Sequence, residues 1–456
     1  MKKRMYKIMA LAMTAAMVVP MAAQTTAFAA DDKEITYWNI AVESPDKDIV
    51  TAAVDKFNKE TESGYTVNSV AIQNDTYKEK LVIAMSSGEC PDMYSSWSGG
   101  PMYEYIDSGF AQPIDDLLDQ SDIKDKLLDA AIEQGSYNGH VYAIPYLNVS
   151  LAGIFYNKDM FKQYGLEEPK TLADLENICA TLKENGITPF ALANASKWTG
   201  SMYFMSLAAR YGGLEPFQNA VAGTGKFTDD CFIKAGEKIQ EWVKNGYFPD
   251  GVNSLSEDDG QAKQLMYQET AGMMLGGSFY IGAFQTDSEE FYQKKIGWFP
   301  IPAIDDSDAD PTIQIGTVGD QFISFNCEGD KLAAAFECAT DHLSDEVEDM
   351  IYSTGKIAPV KDAKDHIKDP VVKEIFDAAQ EASSIQLWYD QYLPTSVASA
   401  HLDGLQEVFG LTKTPQEAQE EMQKAMDEYL STKSDSDAAD DTAEEATDDA
   451  AADDAE

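Results

Sequence analysis

The chain has 456 residues, a formal net charge of −45 and five cysteines. Acidity on this scale leaves no basic face for a nucleic acid or an anionic lipid surface, so both are excluded as partners. The cysteines lack Cys-x-x-Cys spacing and are odd in number, so we expect them to be mostly buried and free. The length between the two unusual termini is enough for two domains.

The first 29 residues are typical of a secretory signal peptide. Lys2, Lys3, Arg4 and Lys7 form a basic start, residues 9–19 are apolar, and Ala27-Phe28-Ala29 fits a cleavage site. The apolar part is too short to predict a membrane span. The first cysteine is Cys90, so lipid attachment near the cleavage site is not expected. We therefore expect an extracytoplasmic protein that is secreted, held at the cell surface or periplasmic.

The next segments alternate between strand and helix patterns. Residues 34–40 predict a strand, and Ser44 and Pro45 predict the N-cap and first residue of a helix. A second strand and a helix that ends at Gly88 follow, and residues 92–97 predict a third strand. This order predicts a parallel sheet covered by helices.

Further along, residues 141–157 form a long extended segment that could pass from one domain to the next. Thr171 and Asp174 predict a capping box at the start of a helix. Trp242 and Trp298 fit a helix face and a strand, so we assign both to the core.

An apolar run at residues 271–275 leads into Gly276, Gly277 and Ser278. The run predicts a strand buried on both faces, and Ser278 predicts the N-cap of a further helix. Ligands of open α/β sheets collect beyond the carboxyl ends of strands, so this turn is a candidate ligand wall. An ordinary glycine-rich connection is the alternative interpretation.

Residues 431–456 are rich in Asp, Glu and Ala and contain no aromatic residue. Such a composition cannot bury enough apolar surface to fold, so it predicts a disordered acidic tail.

Several short segments occur together in a characteristic order. They include Ile35-Thr36-Tyr37-Trp38, Ser87-Gly88-Glu89-Cys90-Pro91-Asp92, Tyr142-Ala143-Ile144-Pro145, Phe155-Tyr156-Asn157-Lys158-Asp159, residues 274–279 and Trp298-Phe299-Pro300-Ile301-Pro302. In this order they resemble the extracellular solute-binding proteins of carbohydrate ABC transporters, over about residues 34–430. The missing lipid-anchor Cys departs from the common Gram-positive form of that family.

The resemblance implies an α/β, two-lobe periplasmic-binding-protein-like fold (type II), each lobe a mainly parallel sheet flanked by helices, with a hinge between them. Lobe one would be residues 31–148 plus 318–357, and lobe two would be residues 149–317 plus 358–430. It also implies a monomer without cofactor, metal or catalytic residues. A carbohydrate would bind in the cleft between the lobes, and the closed lobes would meet the permease subunits of an ABC importer.

A sugar ring offers an apolar face to aromatic side chains and a rim of hydroxyls to polar ones. Four tryptophans stand at strand ends or in loops, although core packing is an equal alternative for each one alone. By family position, Trp198, Phe279 and Trp388 are the stacking candidates. The candidate ligand-binding residues are Trp38, Asn39, Glu43, Trp97, Asn148, Trp198, Gly277, Ser278, Phe279, Asp320, Trp388 and Asp390.

Other chemical motifs are incomplete. Residues 222–227 lack the first glycine and the Ser or Thr of a phosphate loop. Residues 305–310 lack the glycine and closing acid of a calcium loop, and the four histidines have no zinc spacing. Two alternative functions stay open: a secreted glycoside hydrolase, which needs two facing carboxylates, and a surface adhesion protein that binds partners through its tail.

Overall fold

The computed structural model describes residues 33–147 and 149–452, with side chains as far as Lys433. The predicted signal peptide lies outside the described residues. The strands are β1 (Glu34–Asn39), β2 (Thr66–Ala71), β3 (Met93–Ser96), β4 (Ser136–Tyr137), β5 (His140–Val141), β6 (Ala143–Leu147), β7 (Ser150–Asn157), β8 (Thr188–Phe190), β9 (Ala271–Gly277), β10 (Ile296–Phe299), β11 (Gln314–Thr317), β12 (Gln321–Phe325) and β13 (Ile385–Gln386).

Helices connect and cover these strands. They are α1 (Asp46–Glu60), α2 (Asn74–Ser87), α3 (Gly100–Asp107), α4 (Asp115–Asp119), α5 (Ile123–Lys126), α6 (Asp129–Gln134), α7 (Lys158–Tyr164), α8 (Leu172–Glu184), α9 (Trp198–Gly212), α10 (Glu215–Val221), α11 (Asp230–Lys244), α12 (Gln261–Tyr267), α13 (Tyr280–Lys295), α14 (Gly329–Asp341), α15 (Asp345–Ser353), α16 (Pro370–Glu381), α17 (Tyr389–Tyr392), α18 (Thr395–Phe409) and α19 (Pro415–Ala452). Two short 3-10 helices are Val252–Ser254 and Ala363–Asp365.

The strands form two main sheets. The first has the order β2-β1-β3-β12-β6, and the second has the order β13-β11-β7-β9-β8 with β10 also paired to β7. Pairs β1–β2, β1–β3, β11–β13 and β8–β9 are parallel, whereas the other pairs in the two sheets are antiparallel. Among the described strands, only β12 in the first sheet and β7 in the second run against their neighbours. Both sheets are therefore mixed but mainly parallel, as predicted.

The reason for the mixed sheets is the path of the chain between them. It leaves the first sheet after β6, enters the second at β7, and returns from β11 to β12. The outward and return strands pair with each other in both sheets, with Gln321 opposite Leu147 and Thr317 opposite Ser150. Two neighbouring crossings in opposite directions must be antiparallel. A third chain segment, at Ile357, lies beside these two crossings. The Val149 N–H donates a hydrogen bond to the Ile357 carbonyl oxygen over 2.9 Å.

Each sheet has its own helices. Helices α1, α14 and α15 pack with the first sheet, and this core continues under α13 and α16. Helices α8, α9, α11 and α18 pack with the second sheet in a separate core. Trp242 and Trp298 are each 3% exposed, which confirms their assignment to the core. The lobe boundaries and the acidic tail stay predictions; the last helix runs on through Ala452.

Some predicted helix ends are confirmed and others are wrong. Thr171 and Asp174 form the predicted capping box of α8, and Gly88 ends α2 with a φ of 75°. Helix α1 begins at Asp46 without a side-chain cap, so Ser44 is not its N-cap. Ser278 does not cap α13 because its hydroxyl instead points to the Val149 carbonyl, at 3.4 Å.

All five cysteines are free thiols, four of them buried and Cys90 half-buried. Within residues 33–147 and 149–452, no helix combines the length and apolar character that crossing a membrane requires.

The fit between Trp298 and Gly153 gives a test of the core. A Cβ on Gly153 would lie 2.2 Å from the Trp298 ring, so the indole fills the space above this glycine. We expect Trp298→Ala to lower the free energy of unfolding by about 3–5 kcal/mol, since it leaves a large cavity. Urea denaturation measures this change, and a loss below about 1 kcal/mol, the usual size of a surface effect, would contradict the assignment.

Candidate functional site

A cavity of about 260 Å³ is lined from both halves of the fold. The first half contributes Trp97, which follows β3, and Lys78 from α2. The second half contributes Trp198, Phe279 and Trp388. Ligand pockets in proteins favour such clefts between domains, so this cavity is the candidate site.

Three aromatic side chains form one continuous wall of the cavity, which we call the aromatic wall. Trp198 begins α9, Phe279 joins β9 to α13, and Trp388 immediately precedes α17. The Phe279 ring lies 6.0 Å from that of Trp198 and 6.4 Å from that of Trp388, in edge-to-face contact with each. A Cβ on Gly277 would lie 2.2 Å from the Phe279 ring, so this glycine makes room for the wall.

Trp97 and Lys78 face the site from the first half. The Lys78 ammonium lies 4.9 Å from the centre of the Trp97 ring and 3.3 Å from an Asp390 carboxylate oxygen. This ion pair connects the two halves of the fold at the cavity. The Asp390 side chain is only 9% exposed, so the lysine is its main compensation for burial.

The polar side of the cavity includes Asp320, Lys356 and Asp46. The Lys356 ammonium contacts the Asp46 carboxylate, and Asp320 lies in the field of both groups. Burial raises the pKa of Asp320 to about 7, and Lys356 only partly opposes this effect. Near neutral pH this carboxyl can therefore both donate and accept hydrogen bonds.

Glu257 is a second buried carboxyl in the lining. It is 9% exposed, and its Oε2 has no hydrogen-bond partner among the described residues. Burial raises its pKa to about 8, against smaller opposing effects of the Tyr280 hydroxyl and Lys263. The indole N–H groups of Trp198 and Trp388 are likewise buried without a partner in the described part of the chain.

Six of the predicted site residues line the cavity together. They are Trp97, Trp198, Phe279, Asp320, Trp388 and Asp390. Trp388 is also 4% exposed and belongs to the second core, so it serves packing as well as the cavity.

The five other predicted site residues that lie in the described part of the chain do not line this cavity. Trp38 packs with Tyr77 and its neighbours, and the Asn39 amide donates to the Ser69 hydroxyl over 2.8 Å. Glu43 is exposed, and Ser278 is 2% exposed with its hydroxyl turned to Val149. Gly277 supports Phe279 from behind. Asn148 lies outside the described residues.

Twelve of the 18 lining residues were not predicted from the sequence. The missed residues are Ile40, Asp46, Gln73, Asn74, Lys78, Met202, Glu257, Asp258, Tyr280, Gln321, Lys356 and Gln391. Gln321 could have been found, because it follows Asp320 at the start of β12. Nothing local distinguishes Glu257 and Asp258 from the many other acids of the chain.

Metal binding finds no structural support in the described part of the chain, which holds no group of three His, Cys, Asp or Glu side chains arranged as ligands. The cavity instead offers aromatic faces and oxygen groups. It can hold a small polar molecule by stacking and hydrogen bonds.

The two-sheet fold and the cavity lined from both halves define a two-lobe ligand-binding protein. The model of the bacterial extracellular solute-binding proteins matches residues 41–339, and the chain belongs to this family. The family places the protein outside the cytoplasm. The members of this family are solute-binding receptors.

Known relatives agree with this family. An ABC transporter extracellular-binding protein of Pyrococcus horikoshii is 31% identical over 229 residues, 50% of each chain. The multiple sugar-binding protein of Streptococcus mutans is 30% identical over 183 residues, 40% of this chain and 38% of its own. The chain spans about half the length of the curated relatives it matches.

A solved structure from a study of xylan utilisation by Caldanaerobius polysaccharolyticus shares the whole architecture. It is 29% identical, with a TM-score of 0.79 over 86% of this chain and 99% of its own. The predicted two-lobe α/β fold is thereby confirmed.

The buried carboxyl of Glu257 predicts a pH-dependent stability. Its pKa rises from an ordinary 4.5 to about 8 on folding, so between these values only the unfolded chain releases the proton. This group therefore stabilises the fold fully at low pH, and its contribution falls as pH rises, by up to about 1.4 kcal/mol per pH unit.

Glu257→Gln stays neutral at every pH, so it removes this dependence. We expect the variant to gain stability relative to wild type between pH 5 and 8 and to show a constant difference above that range. Urea denaturation of both proteins at a series of pH values measures the difference between their free energies of unfolding. Both proteins contain Asp320, so its pH-dependent contribution cancels in this difference. A difference that is flat from pH 5 to 9 would contradict the assigned pKa.

Proposed function

We propose that this protein is the substrate-binding component of an ABC importer and that it captures a sugar in the cavity between its lobes. The single observation that carries the proposal is the aromatic wall facing buried carboxyls. The wall suits the C–H face of a sugar ring, while Asp320, Asp390 and Glu257 suit its hydroxyls. The protein acts as a monomer and delivers the sugar, unaltered, to a membrane permease.

The protonation of the cavity supports an uncharged ligand. Asp320 and Glu257, with pKa values raised to about 7 and about 8, hold protons for much of the time near neutral pH. A protonated carboxyl donates one hydrogen bond and accepts others, and each sugar hydroxyl does the same. Of the three other acids in the lining, Asp46 and Asp390 are paired with lysines, and burial raises the pKa of Asp258.

The size of the cavity favours a short sugar. Its volume of about 260 Å³ lies near the lower end of ligand pockets, which is about 300 Å³. A micromolar complex needs about 8 kcal/mol, which stacking and several hydrogen bonds supply after the ordering costs. We therefore favour a monosaccharide or short oligosaccharide over a long polymer segment.

The names of relatives point the same way. They include a xylose/arabinose-binding protein of Haloferax volcanii and a melibiose/raffinose/stachyose-binding protein of Bacillus subtilis. These names belong to the relatives and support a sugar as the class of ligand.

A sugar panel tests the proposed function. Pentose, hexose and short oligosaccharide series are added to the full mature chain, and the thermal midpoint is followed. A ligand at about 100 times its Kd stabilises the folded state by about 2.7 kcal/mol, so one series should raise the midpoint clearly. The bound sugar should be recovered intact. Absence of any shift, or release of new reducing ends, would overturn the proposal of a non-enzymatic sugar receptor.

Trp198→Ala tests the aromatic wall. We expect it to weaken sugar binding more than tenfold in isothermal titration calorimetry, because it removes a stacking surface worth about 1.4 kcal/mol or more. Trp198 is half-buried, so its loss disturbs the core less than loss of Trp388 would.

Trp242→Phe is the matched control. This tryptophan stacks in the second core on Phe190 and does not line the cavity. The control should lower stability and leave sugar affinity unchanged. Equal affinities of wild type and Trp198→Ala would contradict the assignment of the wall.

A further inference from the structure

The two lobes also touch outside the sugar cavity. Helix α3 belongs to lobe one, since Met102 packs with Ala143 of β6 and Phe322 of β12. Helix α18 belongs to lobe two, since Val397 and Leu405 lie in the second core. The start of α3 lies against the end of α17 and the two residues that join α17 to α18.

A carboxylate of lobe one caps a helix of lobe two. One oxygen of Glu104 accepts the Thr395 backbone N–H over 2.8 Å, and the other accepts the Thr395 hydroxyl over 2.6 Å. Helix α18 has no side-chain cap of its own, because the preceding residue is Pro394. A negative group at a helix N-terminus satisfies free N–H groups and interacts favourably with the helix dipole.

Two glycines let the backbones of the lobes approach closely. A Cβ on Gly99 would lie 2.5 Å from the Gln391 carbonyl oxygen, and one on Gly100 would lie 2.3 Å from the Leu393 carbonyl oxygen. Real side chains do not approach a backbone this closely. Gly99 also has a φ of 105°, whereas Gly100 is not among the residues with positive φ.

We propose that Gly99, Gly100 and Glu104 form, with residues 391–395, a lobe clamp that stabilises the closed form and so sets sugar affinity. Apart from Gln391, these residues lie outside the cavity lining. The proposal rests on the proposed function. Neither Glu104 nor Thr395 lines the cavity. A contact made only in the closed form shifts the equilibrium between the open and closed forms toward the closed one. When the free protein is mainly open, the apparent sugar affinity rises by the same factor as this equilibrium constant.

Glu104→Ala is the first test. We expect sugar affinity to fall about fivefold, which is about 1 kcal/mol and the usual size of a helix cap. The clamp forms after encounter, so the dissociation rate should rise and the association rate should stay unchanged. The thermal midpoint of the sugar-free protein should stay near wild type, because its open form does not use the clamp.

Two matched variants control for nonspecific effects. Asp107→Asn changes a carboxylate of the same helix, which accepts from the Tyr137 hydroxyl over 3.1 Å within lobe one, and should leave affinity unchanged. Thr395→Ser keeps both donors to Glu104 and should bind the sugar like wild type.

Gly100→Ala is an independent test of the same contact. The added methyl group collides with Leu393 only when the lobes meet, so we expect affinity to fall more than tenfold with an unchanged sugar-free midpoint. Small-angle X-ray scattering should show a smaller sugar-induced contraction than in wild type.

Several results would overturn the lobe clamp. One is wild-type affinity in Glu104→Ala and Gly100→Ala, and another is an equal loss of stability with and without sugar, which marks a purely structural contact. If wild type binds no sugar of the panel, the proposed function fails and the clamp that rests on it is overturned as well. If wild type binds a sugar and both variants bind it equally well, the clamp alone is overturned.

Discussion

Two neighbouring chain crossings in opposite directions are the constraint on which the structure depends. They force β6 against β12 and β7 against β11, so backbone hydrogen bonds hold the junction between the sheets. The third chain segment is fixed to them through Val149 and Ile357. Asp320 and Gln321 lie at the return crossing and also line the cavity. A bound molecule therefore rests directly on the junction about which the lobes would move.

The sequence predicts the separate elements better than their pairing. The apolar face of α1, the capping box at Thr171 and the end of α2 at Gly88 follow from local periodicity and turn chemistry, and the structure contains all three. Strand direction is a long-range property. The crossings decide it, and no local pattern at residues 141–157 shows which way the neighbouring strands run. Ser278 fails as a cap for a related reason, since its hydroxyl is taken by Val149 from a distant strand.

Among the site residues too, local features are predicted from the sequence and long-range ones are not. Trp97, Trp198 and Phe279 stand at element ends, where an aromatic residue has few neighbours along the chain, and sequence reasoning finds them. Asn39 also stands at a strand end, but its amide donates a hydrogen bond to the Ser69 hydroxyl of the adjacent strand. Glu257 is found only in three dimensions, because the residues next to it in the sequence show neither its burial nor its proximity to Tyr280. A strongly acidic chain thus encloses carboxyls that burial keeps partly uncharged.

Burial of the free thiols lowers their reactivity in the oxidising surroundings outside the cytoplasm. Burial raises the pKa of Cys90 to about 12 and that of Cys231 to about 11, and it raises those of the other three as well. Exchange with other disulfides requires the thiolate form, which is very scarce under these conditions. Burial of the thiols thereby protects the folded protein against disulfide scrambling and mixed adducts in oxidising surroundings.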